Sequence, residues 1–143
     1  MTSDEIRAFI TRFLAVWERE SLSAIVGCYA ESARIDSPMF HAIAGRVEIE
    51  KSYTDLFRAF DEWAFQIDDI IVDRGPEDRA VLVYTAHMTH RGDLFGMPGT
   101  GRRVQTNGAL VFRFENACIA SERRLYDFTG LLVQLGVLKA KAV

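Results

Sequence analysis

The hydrophobic period of this chain changes once, between Phe60 and Trp63, and that switch constrains the fold more than any other feature. Upstream, Ile6, Phe9, Ile10, Phe13 and Trp17 recur at helical spacing and predict an amphipathic helix through about residue 19. Thr2 and Glu5 have the spacing of a capping box, in which each side chain satisfies the other's free backbone N–H. Ser21 is placed to cap a second, shorter helix whose Leu22, Ile25, Val26 and Tyr29 share a face. Residues 33–36 read as a brief strand stopped by Ser37-Pro38. Gly45 breaks the chain before a third helix with Ile49, Tyr53, Leu56, Phe57 and Phe60 on its buried side. Downstream, residues 63–73, 78–91, 103–115 and 118–127 are rich in β-branched and aromatic types and are separated by turn signals, so they predict strands. Phe128, Leu131, Leu132 and Leu135 then mark a short tail helix ended by Gly136. Helices first and strands after them is the α+β order. The expected architecture is one cone-shaped domain over residues 1–143: three helices and a tail helix packed on a curved antiparallel sheet around a pocket.

Composition removes several partners. Hydrophobic residues make up 49% and charged residues 26%, which is enough apolar surface to build a core. With 17 basic and 20 acidic residues the net charge is −3 and no basic stripe appears, so neither nucleic acid nor an anionic membrane is an expected partner. No apolar run approaches the ~20 residues that span a bilayer. The acidic start Met1-Thr2-Ser3-Asp4-Glu5 is the opposite of a signal peptide. Cys28 and Cys118 form no motif, and a reducing cytoplasmic location is expected.

Residues 80–90 carry apolar side chains on both faces: Val81, Val83 and Thr85 on one, Leu82, Tyr84, Ala86 and Met88 on the other. A sheet face that met only water would alternate more cleanly, so a homodimer through the second face is expected.

The chemistry-bearing residues are few. His87 and His90 stand at an odd offset, which on a strand sends them to opposite faces, and His41 is alone in a loop; no metal site is expected. The glycine-rich stretch 92–101 lacks the ending of a phosphate loop and leads into a strand, so it reads as a long hairpin connection. Its Leu94, Phe95 and Met97 suit a flap over an apolar cavity. There is no nucleophile elbow, and Cys28 reads as helix filler. Asp127 ends the last strand. It either caps the tail helix or faces the cavity, where desolvation would make it a better general base near neutral pH. Asp36 is a turn residue that could reach the pocket mouth, and His90 is either a rim residue or a donor to a bound carbonyl. Strict alternation from an inward Asp127 also turns Leu125 and Arg123 inward; a buried arginine needs an acidic partner, or else a bulge shifts the register.

Two segments carry a resemblance. His90-Arg91-Gly92 through Gly96-Met97-Pro98-Gly99-Thr100-Gly101-Arg102 resembles the His-x-Gly…Gly-x-Pro-x-Thr-Gly-Arg connection of SnoaL-like polyketide cyclases, of the nuclear transport factor 2-like superfamily. Asp127 with Leu131-Leu132-Val133-Gln134-Leu135-Gly136 is similar to that family's Asp…Leu-Leu-x-Gln-Leu-Gly ending. The resemblance implies a conical fold, frequent dimers, an interior cavity, and cofactor-free aldol ring closure with Asp127 as acid/base. His90 matches the family's strand-end histidine. On the strand before Asp127, residues 103–115 offer Gln105, Asn107 and Arg113, and no histidine, as polar inward candidates.

The sequence thus predicts a pocket for an apolar, carbonyl-bearing molecule, with no cofactor. Asp127 and His90 are the catalytic candidates. Asp36, Asn107, Trp17, Tyr29, Phe57, Tyr84, Phe95, Met97 and Leu131 are the substrate-binding ones. The competing expectation is a noncatalytic ligand-binding or dimerisation module in which Asp127 is only a cap.

Overall fold

The computed structural model describes residues 1–139. Its elements are α1 (Ser3–Glu18), α2 (Leu22–Val26), β1 (Tyr29–Ser37), β2 (His41–Ala44), α3 (Arg46–Ala59), β3 (Phe60–Arg74), β4 (Asp78–His90), β5 (Arg103–Glu115), β6 (Cys118–Tyr126) and α4 (Phe128–Gln134). The α1 capping box forms as expected: the Glu5 amide donates to Thr2 Oγ1 at 3.1 Å and the Thr2 amide donates to the Glu5 carboxylate at 2.6 Å.

The six strands make one curved, unclosed sheet in the order β2-β1-β6-β5-β4-β3. Every neighbouring pair is antiparallel except β1 with β6, which is parallel. β2, α3 and the β3–β4–β5 meander lie between those two strands in sequence, so β6 returns beside β1 by a long route rather than a hairpin. Three local expectations need correction. Tyr29 opens β1 instead of closing the second helix, because α2 ends after Val26 and the Tyr29 carbonyl is taken by the Arg46 guanidinium at 2.7 and 3.0 Å. His41 lies in β2, which continues the sheet beyond the turn at Pro38. Phe60 is the first residue of β3 rather than the last of α3.

Register shifts in β3 between Asp61 and Ala64, and again between Ile67 and Asp69, bend that strand around the helices. Leu82, Tyr84, Ala86 and Met88 of β4 and Leu110, Phe112 and Phe114 of β5 fill the concave face. Above them Phe9 and Phe13 of α1 meet Phe114 and Phe112 edge-on at 5.2 and 5.7 Å. Phe13 is fully buried and also touches the rings of Trp17 and Tyr29. Truncating such a residue to alanine typically costs about 3–5 kcal/mol.

The connection between β4 and β5 is tied down by backbone pairing: the His90 amide donates to the Arg102 carbonyl at 2.9 Å and the Gly101 amide to the His90 carbonyl at 2.8 Å. A side chain at Gly92 would meet the Arg58 carbonyl at 2.2 Å, which is why the loop crosses the end of α3 on a glycine.

Candidate active site

Between α1, α3 and the concave face lies a cavity of about 50 Å³. Trp17, Phe60, Trp63 and Phe65 make an aromatic wall, with Met39 and Phe40 from the turn before β2 and Leu131 from α4 at its sides. The polar groups reaching it are few: Thr106, Tyr84, Tyr126 and the guanidinium of Arg124. A space this size holds a water or two, well below the roughly 300 Å³ at which drug-sized pockets begin. A ring-bearing ligand therefore requires side chains to move, and Met39, Met88 and the half-buried Phe40 are the liners built to do so.

Behind the wall is a buried polar cluster. Arg124 Nε donates to Glu122 Oε2 at 2.5 Å, and an Nη of Arg124 donates to the Tyr53 hydroxyl at 2.9 Å. Tyr29 donates its hydroxyl proton to Glu122 Oε1 and lies 2.6 Å from the Tyr53 hydroxyl. The Arg124 guanidinium sits over the rings of Trp17 and Tyr53 at 5.0 and 5.2 Å. Burial works against the charge on Arg124, but Glu122 and the two tyrosines more than offset it, so its pKa stands above the ordinary arginine value. Burial raises Tyr29 and Tyr53 well above the ordinary phenol value. It also pushes Tyr84 and Tyr126 up to about 12, so both present protonated hydroxyls at neutral pH.

The candidates named from sequence are dispersed. Trp17, Tyr84 and Leu131 line the cavity. Tyr29 is one layer back, in the polar cluster, and Phe57 backs Trp17 and Tyr53 at 6.4 and 5.5 Å. Asp127 lies outside the cavity: it is exposed, and its Oδ1 accepts the Gly130 amide at 2.8 Å as the N-cap of α4. The reason is register. Glu122 and Arg124 point inward and Arg123 and Leu125 outward, the opposite of the alternation that an inward Asp127 demands. Asn107 is likewise on the outer face, exposed, donating to Thr85 Oγ1 at 3.0 Å; Gln105 is beside it, and Thr106 is the inward residue. Asp36 is exposed and borders an open groove with His41 and Arg123 on the far side of β6. Phe95 is 61% exposed and meets the Phe40 ring edge-on, while Met97 packs against the core without lining the cavity.

His90 faces inward but beyond the cavity. Its ring packs on Phe60 at 5.3 Å, and Nδ1 accepts the Thr100 amide at 3.3 Å, which assigns the proton to Nε2. That Nε2 is buried with no partner among the described residues. His87 is on the outer face with Gln105 at 3.1 Å, so the two histidines do diverge. Among the described residues no group of three or more His, Cys, Asp or Glu converges to hold a metal ion.

The cluster of Glu122 and Arg124 was missed, although a signal for it existed. Same-face neighbours on a strand are two residues apart: Arg124 has an acid there in Glu122, whereas Arg123 has only Ser121 and Leu125. A buried arginine with a partner is the less costly choice.

The model of the SnoaL-like polyketide cyclase family matches residues 7–135. The chain belongs to this family. Its solved relatives share the nuclear transport factor 2-like fold. AclR of Streptomyces galilaeus, described as a candidate hydroxylase, superposes with a TM-score of 0.82 at 24% identity over 99% of this chain and 87% of that one. TsrD of Streptomyces laurentii does so at 0.81 and 22%, over 96% and 99% of the two chains. A candidate polyketide cyclase from Acidithiobacillus ferrooxidans gives 0.80 and 23%, over 95% and 97%. At these identities the likeness establishes the fold. No curated protein matches the sequence. Among the described residues no helix is long and apolar enough to cross a membrane.

Proposed function

We propose that this family member encloses an apolar, carbonyl-bearing small molecule in the cavity and assists proton-transfer chemistry on it, of the cyclisation or isomerisation kind. The observation that carries this reading is the wall itself: aromatic and aliphatic nearly throughout, with a few hydrogen-bond donors converging on one space. A bound carbonyl oxygen would find the Tyr84 and Tyr126 hydroxyls protonated and ready to donate. No cofactor is called for by such chemistry, since a proton between two carbonyls is already acidic.

Asp127 has only an indirect place in this reading, because its carboxylate is engaged with the α4 backbone. The test of the pocket uses a convenience of composition. The chain has two tryptophans, Trp17 and Trp63, and both line the cavity. Titration with aromatic ketones and β-diketones of one or two rings should quench their fluorescence saturably. The same compounds, followed by mass spectrometry, should show conversion. Binding without conversion would favour the noncatalytic module, and no binding at all would end the reading. Asp127→Asn separates the roles of that residue: as a cap it leaves turnover intact, as an acid/base it abolishes turnover with binding retained.

A cytoplasmic homodimer completes the proposal. Val81 pairs with Val111 and Val83 with Ala109 on the convex face, giving a contiguous apolar patch opposite the helices. Sedimentation at micromolar concentration should report a dimer; a monomer would rule it out.

A further inference from the structure

Among the described residues Arg124 is the one charged side chain in the cavity wall, and it is 5% exposed. Nε is committed to Glu122 and one Nη to Tyr53, while Nη1 has no hydrogen-bond partner among the described residues. The guanidinium also packs on the rings of Trp17 and Tyr53, so its spare donor is held in place rather than swinging on a flexible stem. Trp17 supplies a buried orphan: its Nε1–H has no acceptor among the described residues, on a side chain bordering the same cavity. A buried donor without an acceptor is costly, and a ligand oxygen is one way to satisfy it.

The cavity also lacks a free base. The two oxygens of Glu122 are occupied by Tyr29 and Arg124, and among the described residues no carboxylate or imidazole lines the space. The charge such a wall can stabilise is therefore negative.

We propose that Arg124 is the oxyanion-binding group of the cavity, with Nη1 donating to an oxygen of the bound molecule. The ligand class this selects is a ring compound bearing an acidic enol or phenol, bound with that oxygen ionised. On binding, the O–H bond breaks, the electron pair stays on oxygen and the proton leaves to solvent. Glu122, Tyr29 and Tyr53 act as positioning residues that hold the guanidinium and keep it charged. The inference rests on the cavity being a ligand pocket at all, and the experiment separates the two.

The probe is 4-nitrophenol, whose phenolate has its own absorption band. The full chain is titrated with it across pH, and the ionisation constant of the bound probe is read from that band. In the wild type the bound probe should ionise at or below its pH in water. An apolar cavity with no cation would instead raise that pH by desolvation. In the paired variant Arg124→Met/Glu122→Gln, which leaves no lone buried charge, the bound ionisation constant should fall about tenfold relative to wild type. Saturable binding with a raised ionisation pH in the wild type overturns the role of Arg124 and leaves the pocket standing. The same ionisation constant in wild type and paired variant does so too. Absence of any saturable binding, by absorbance or by tryptophan quenching, overturns both. The wild-type readout stands alone if the paired variant does not fold.

Discussion

Two arginine–carboxylate networks in this molecule are made of similar parts and differ in almost everything else. At the edge of β3, Arg91 reaches Asp61 at 3.0 Å and Glu62 at 2.6 Å, with Arg103 4.0 Å from Glu62. At the floor of the cavity, Arg124 meets Glu122 at 2.5 Å. The side chains of the first group are 38–57% exposed; those of the second are 5% and 0%. Arg91 lowers the Glu62 pKa by direct hydrogen bonds in a setting that water and salt screen. Inside, the same pairing has no water to fall back on, so each member depends on all the others. The lesson is that contact distance does not rank these networks; the availability of water as a replacement partner does.

The sharpest way to break this contrast is to remove one buried charge. Arg124→Met should cost about 3–5 kcal/mol in urea unfolding, because Glu122 is left without its cation. Adding Glu122→Gln should return most of that loss. If the double variant is no better than the single one, the cost came from packing over Trp17 and not from charge.

Alkaline pH probes the same cluster without mutation. All four tyrosines have raised pKa values, two of them to about 12, and burial is the first cause in each. The folded state therefore holds its phenolic protons more tightly than the unfolded chain, whose tyrosines ionise near 10.0. This stabilisation is complete below about pH 10 and is lost as pH rises from there through about 12. Tyrosinate absorbance should thus be nearly absent at pH 10 in the native protein and appear together with loss of the circular dichroism of the fold. Half-ionisation at pH 10 with the fold intact would show that the cluster is wetter than its geometry.

A smaller effect is expected at Tyr29→Phe, which takes one hydrogen bond from the buried Glu122 carboxylate: about 1–3 kcal/mol by denaturant titration. Smaller again is Asp127→Ala, about 1 kcal/mol for a lost helix cap, with Asp127→Asn near zero because asparagine caps as well. At the far end, Arg91→Ala should leave the melting midpoint unchanged within error. A clear drop in Tm there, larger at low salt, would mean that the surface network is better organised than its exposure implies.

How much of this was legible in the sequence depended on how local the signal was. The α1 cap, the row Leu82, Tyr84, Ala86 and Met88 as one face of a strand, and the tail helix were all readable, because a helix period, a strand period or a capping pair is written within a few residues. The α+β order and the family followed from the same local record together with the 90–102 and 125–136 segments. The cavity wall was only partly readable: Trp17, Tyr84 and Leu131 were named, Thr106, Tyr126 and Arg124 were not. Asn107 and Asp127 lie outside the cavity for one shared reason, that a strand's side-chain period is two and a single change of phase exchanges its faces.

By itself, then, the sequence determined where helices give way to strands and which residues are apolar enough to make a core, since both are properties of short stretches of chain. Tertiary structure alone decided that β6 returns parallel to β1, that Glu122 and Arg124 rather than Arg123 and Leu125 face the helices, and that Tyr29, Tyr53, Glu122 and Arg124 meet across as many as 93 positions. Those outcomes depend on which face of β6 is deprived of water, and that is settled only when the helices have closed over the sheet.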